Sequence, residues 1–99
     1  MPTVVLPSMV AGRDLADALV ERIPGDLTAT EVAVDCRRLV SGSPSFAAQL
    51  VWRVLVDRRA GSLAVTHAPA AFAAYLEQAA TRLEVADRLR IRAKAPVGT

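Results

Sequence analysis

Apolar and polar positions alternate along this chain in blocks that switch between strand and helix periods. Thr3-Val4-Val5-Leu6 is β-branched and apolar and reads as a strand, broken by Pro7, with Val10 and Ala11 continuing it past the break. After Gly12, Leu15, Ala18, Leu19 and Ile23 recur at helical spacing, and Pro24-Gly25-Asp26 stops that helix as a turn. Glu31 to Cys36 reads as a second strand, and Arg37 to Pro44 as a connecting loop. Ser45 to Val56 is a long apolar helix, ended by Asp57-Arg58-Arg59-Ala60-Gly61 with basic residues in its last turn and a glycine behind them. Ser62 to Thr66 is a third strand, apolar on both faces, as expected where helices cover both sides. Pro69 then opens a helix with Phe72, Leu76, Ala79, Ala80 and Leu83 on one stripe.

The order β-α-β-α-β-α, closed by a short strand near Arg90, implies parallel pairing with right-handed crossovers. The expected fold is a small α/β sandwich with a mostly parallel, three- to four-stranded sheet covered by about three helices. All 99 residues form one domain, with Pro96 to Thr99 as a frayed tail. In such sheets function gathers where strands end and helices begin, here Asp35 to Ser45 and His67 to Pro69.

Composition narrows the function classes. No run approaches the ~18 apolar residues of a membrane span, and no basic start with an apolar run follows Met1, so a cytoplasmic chain without membrane contact is expected. A single cysteine, Cys36, supplies neither a disulfide framework nor a cysteine-rich zinc site. Twelve basic residues against ten acidic leave +2, too little for a nucleic-acid binder. The one asymmetry is Arg88, Arg90, Arg92 and Lys94, which a strand would place on a single face with Leu89, Ile91 and Ala93 opposite. That pattern reads as a solvated edge that resists unwanted pairing.

Ser43-Pro44-Ser45-Phe46 is the most informative stretch. Ser43 suits an N-cap and Pro44 the first helical position, which puts the Ser45 hydroxyl in the first turn, at the positive end of the helix dipole. An anion, bound or covalently attached, is favoured there. The helix behind it has one polar stripe, Gln49, Arg53 and Asp57, and three apolar ones. That arc is much wider than the roughly 100° one sheet face requires. Another element or a partner must cover the surplus. Trp52 borders the polar stripe, as an interface anchor would.

Val32-Ala33-Val34-Asp35-Cys36-Arg37-Arg38-Leu39 followed by Ser43-Pro44-Ser45-Phe46-Ala47-Ala48-Gln49-Leu50 resembles the anti-sigma factor antagonist (STAS) domains. The similarity covers residues 30–92, with the strand and helix at 3–23 ahead of it and a tail at 95–99. It looks closest to a STAS-like branch in which Phe follows the serine. Ser43 stands where the better-known motif has Asp, and Phe46 where it has Gly. The resemblance implies a protein-binding switch without catalysis or cofactor. Its partner would be an anti-sigma-type serine kinase or another histidine-kinase-like ATPase. Ser45 would be the phosphorylated serine, and Ser43, Pro44, Phe46, Gln49, Trp52, Arg53 and Val56 the docking corner. Two other classes remain open: an obligate homodimeric structural subunit packed through the helix around Trp52, and a small phosphate- or nucleotide-binding module at the Ser45 helix start.

Catalytic constellations are sparse. A Cys36–His67 nucleophile pair needs hydrogen-bond reach and a third, orienting group, and Asp35 points to the opposite strand face from Cys36. Cys36 therefore reads as a small buried hydrophobe, His67 as a helix-entry or loop residue, and Asp35 as a loop hydrogen-bonder or the acceptor of an arginine. No glycine-rich phosphate loop, zinc spacing or dinucleotide fingerprint is present.

Overall fold

A computed structural model describes residues 2–93. Six strands and three α-helices follow in the order β1 (Thr3–Val5), β2 (Met9–Val10), α1 (Arg13–Glu21), β3 (Glu31–Asp35), β4 (Ser41–Gly42), α2 (Pro44–Val51), β5 (Ser62–Ala68), α3 (Ala70–Arg82) and β6 (Leu89–Ala93). A π-helical segment, Trp52–Asp57, extends α2, and a 3₁₀ turn, Ala86–Arg88, precedes β6. The main sheet is fully parallel in the order β1-β3-β5-β6, and β2 pairs with β4 in a separate parallel ribbon. The expected α/β sandwich is the observed fold.

Because the strands lie side by side in chain order, right-handed crossovers carry every helix to the same face. Burial agrees: in β3, Val32 and Val34 are buried while Glu31, Ala33 and Asp35 are not, and in β5 Leu63 and Val65 are buried while Ser62, Ala64 and Thr66 are not. The expectation of a β5 covered on both sides is thereby corrected. Ala64 looks apolar in sequence, but a lone methyl needs no cover. Among the described residues the second face carries no helix.

On the covered face α2 lies between α1 and α3. Phe46, Ala47, Leu50, Val51, Val54 and Leu55 are all buried, so the surplus apolar arc is absorbed on three sides by sheet, α1 and α3. The Phe46 ring lies 6.1 Å from that of Phe72 at 36°. In α3 the expected stripe is buried at Phe72, Leu76, Ala79 and Ala80, with Leu83 half-buried. In α1 the expected stripe is shifted by one residue. Ala16 and Val20 are the buried pair, Leu15 and Leu19 flank them, and Ala18 is exposed.

Arginines close the helix ends. Arg58 donates to the carbonyls of Val20 (3.1 Å), Ile23 (3.0 Å) and Gly25 (2.9 Å), satisfying the last turn of α1 and the bend behind it. Arg88 donates to Leu55 and, at 2.8 Å, to Ala60. It therefore turns away from Arg90 and Arg92, while Lys94 and the tail lie outside the described residues. The left-handed residue that ends the π segment is Arg59 (φ 54°), not Gly61, whose N–H is committed to the Thr30 carbonyl at 2.8 Å.

The ribbon needs a glycine for contact rather than for backbone freedom. A Cβ on Gly42 would stand 2.5 Å from Phe72 Cδ1 and 3.2 Å from Val10 Cγ2. Gly42→Ala is therefore expected to lower stability by about 1–3 kcal/mol through overpacking, read as an earlier urea midpoint at unchanged slope.

Candidate functional site

The carboxyl ends of β1, β3 and β5 and the start of α2 meet at one corner. Ser43, extended at φ −82° and ψ 155°, caps α2: its hydroxyl accepts the Phe46 N–H at 3.1 Å, and Pro44 occupies the first turn. The same oxygen lies 3.3 Å from the Gly12 N–H, which ties the entry of α1 to that of α2. Ser43 N–H in turn donates to Val10 at 3.0 Å, so the β2–β4 ribbon fixes the loop from the other side.

With the capping task taken by Ser43, the Ser45 side chain is exposed, and the Ser43 hydroxyl, at 3.2 Å, is its one side-chain hydrogen-bond partner among the described residues. Seven residues along, on the same helical face and about 10 Å away by helical rise, stands Trp52 at 39% exposure. Val56 follows at 37%. The π turn carries about 4.4 residues, so Trp52 and Val56 stay nearly aligned on the outward ridge.

The other expected docking residues divide. Pro44 is exposed beside Ser45. Phe46 is fully buried against Phe72 and belongs to the core, which corrects its assignment to a contact surface. Gln49 and Arg53 face α1: Gln49 Nε2 donates to Asp17 Oδ1 at 2.8 Å, and Arg53 pairs with Glu21, with Asp57 at 3.5 Å and with Asp17 at 3.7 Å. The Arg53 side chain is only 15% exposed. This stripe is an internal brace between α1 and α2.

Sequence reasoning missed two neighbours of the corner. Met9 and Val40 are 71% and 77% exposed on or beside the ribbon that leads into Ser43. A two-residue strand leaves too short a pattern to be read, and an apolar residue in a loop gives no signal of exposure.

The strand ends offer little chemistry. Cys36 is buried, and its thiol is pushed up to about 12 by desolvation, with the Asp35 charge adding to it. Asp35 Oδ1 accepts the Arg37 N–H at 2.8 Å, the loop role expected of it. His67 sits in the left-handed region at φ 59°, where β5 shifts register against β6, and its Nδ1 lies 3.7 Å from Asp35 Oδ1, beyond a hydrogen bond. No group of three or more metal-ligating side chains occurs among the described residues, and none of their helices is long and apolar enough to cross a membrane.

No family model, curated protein or solved structure matches this chain.

Two measurements test this geometry. Ser43→Ala is expected to cost about 0.5–2 kcal/mol as a lost cap, whereas Ser45→Ala should stay within about 0.5 kcal/mol, both from urea unfolding. At about pH 8 a thiol this basic is ionised in roughly one molecule in 10⁴, so native Cys36 should resist iodoacetamide that labels the unfolded chain. The unfolded thiol ionises near its ordinary 9.0 and the folded one near 12. Between those values the unfolded state holds fewer protons, so the thiol's contribution to stability falls as pH rises through that window.

Proposed function

We propose that this chain is a regulatory protein-interaction module of the anti-sigma factor antagonist type, docking through the α2 corner and switched at Ser45. The observation that carries the reading is the pairing, on one outward ridge, of a water-accessible hydroxyl in the first turn of α2 with a half-open indole two turns on. An aromatic anchor surrounded by smaller contacts is the usual centre of a protein interface. Pro44, Ser45, Trp52 and Val56 form its contact surface, and Met9 and Val40 extend it. Ser43, Gln49 and Arg53 hold that surface in place from behind. The partner is an anti-sigma-type serine kinase or a related ATPase of histidine-kinase-like fold.

The physics of the switch is a difference between two environments. A phosphoryl group adds about −1.5 to −2 charges. On the free chain, water and the α2 N-terminus accommodate it. Pressed unpaired against a partner it must shed water, and a penalty near 4 kcal/mol weakens binding about a thousandfold. An obligate dimer through α2 loses its motive, since α1 and α3 already cover most of the apolar arc.

The test is capture from the native host on immobilised wild type, Trp52→Ala and Ser45→Asp, with Ser45→Ala as the control. Wild type is expected to retain an ATPase-type prey, with at least tenfold loss for both variants and little for Ser45→Ala. Equal capture by Ser45→Asp and Ser45→Ala would exclude the switch, and unchanged capture by Trp52→Ala would exclude this docking face.

A further inference from the structure

The helix-free face of the sheet carries its own pattern. Strand register places Thr3, Ala33, Ala64 and Arg90 in one row, and Val5, Asp35 and Thr66 in the next, while Arg92 lines the same groove as Thr66 beside the register shift between Val65 and Ala68. Glu31 and Ser62 form a third row, with Ser62 Oγ donating to Glu31 Oε2 at 3.0 Å. Read by columns, β3 bears two carboxylates, β5 bears small side chains as far as Thr66 with His67 beyond them, 3.7 Å from Asp35, and β6 bears two guanidiniums. Arg90 and Arg92 are exposed and have no ion-pair or hydrogen-bond partner among the described residues. A shallow groove lined by Glu31, Ala64, Thr66, Arg90 and Arg92 runs across this face.

The acidic and basic columns lie at equal distances on either side of β5, about 4.8 Å each. A two-fold rotation about an axis parallel to β5, lying above the sheet, therefore sets β3 of one copy over β6 of another, and the reverse. Asp35 then faces the end of β6 that carries Arg92, and Arg90 falls between Glu31 and Asp35. Ser62, Ala64 and Thr66 meet their own copies and are small enough for two sheets to stack about 10 Å apart. A two-fold axis across the strands would instead put β3 over β3, like charge on like. Only the axis along β5 is complementary.

We propose that the open face of the sheet is an isologous interface between two copies of this chain, held by Arg90 and Arg92 of each against Glu31 and Asp35 of the other. Its balance of signs selects the occupant. A uniformly acidic partner is opposed by β3 and a uniformly basic one by β6, while a second copy satisfies both columns at once. The contact lies on the opposite side of the sheet from α2, so it leaves the Ser45–Trp52 ridge free and does not rest on that ridge's function. Being small and polar, it gives a reversible dimer rather than an obligate one.

Sedimentation equilibrium tests it on the whole purified chain. Wild type is expected to move from the 10.5 kDa monomer toward twice that mass as concentration rises to about 1 mM, and back again in high salt. Arg90→Glu with Arg92→Glu should raise the dissociation constant at least tenfold, as should Glu31→Arg with Asp35→Arg. Mixing the two reversed variants should restore a heterodimer, while Trp52→Ala should dimerise like wild type. Glu31→Arg alone serves as the acidic-side variant if the double change loses its native circular dichroism. A wild type monomeric throughout, the result expected if a different protein covers the face, would overturn the proposal. So would a dimer indifferent to Arg90 and Arg92, one dissolved by Trp52→Ala, or reversed variants that do not associate when mixed.

Discussion

The whole arrangement depends on one constraint, the hand of the crossover between neighbouring parallel strands. When successive strands are laid down side by side in chain order, a single handedness sends each connecting helix to the same face. Three helices then share a four-stranded surface, and the middle one, α2, has neighbours on both flanks as well as the sheet beneath. Its greasy composition follows from that position. Only the ridge pointing away from sheet, α1 and α3 is left to water, and Ser45, Trp52 and Val56 stand on it.

One-sided layering also leaves the helix ends to be closed without help from a second layer. The chain does this with long guanidinium arms. Arg58 reaches three carbonyls at the end of α1, and Arg88 reaches two around the end of the π segment. Arg53 gathers Asp17, Glu21 and Asp57 between α1 and α2. Each arm ties two elements distant in sequence, a task for which a forked, permanently charged donor suits better than a single ammonium. Much of the arginine content is thus bound up in architecture, and the net charge of +2 says little about partners.

How much of this was legible in the sequence depended on how local the cause was. The Ser43 cap, the proline behind it and the α3 stripe are set by residues within a few positions of one another, and all were readable. Leu89–Ala93 is a strand, with Leu89 and Ile91 turned inward against Arg90 and Arg92. What escaped was decided by distant packing. Alanine was the ambiguous letter: it joined the wrong stripe at Ala18, hid in the right one at Ala16, and made Ser62–Thr66 look two-faced at Ala64. Gln49 and Arg53 read as a free polar stripe because nothing nearby in sequence announces Asp17 and Glu21 as their partners. Likewise Phe46 looked like part of a surface motif until Phe72 was brought against it from elsewhere.

The corner's chemistry turns on a division of labour between two hydroxyls two residues apart. Ser43 is spent on structure, taking the Phe46 N–H and reaching Gly12, so the first turn of α2 is anchored to both the ribbon and α1. Ser45 is thereby relieved of any backbone duty. Had Ser45 been the cap, any change to its oxygen would have loosened the helix that carries Trp52, and a modification would act by unfolding the ridge. With the cap two residues back and braced from two sides, a charge placed on Ser45 would alter what the ridge presents while the ridge itself stays where it is. On the proposed reading that separation would let a rigid surface be read in two states, and it is set by the order of four residues, Ser43-Pro44-Ser45-Phe46, in which the hydroxyls face opposite tasks and the proline fixes the turn between them.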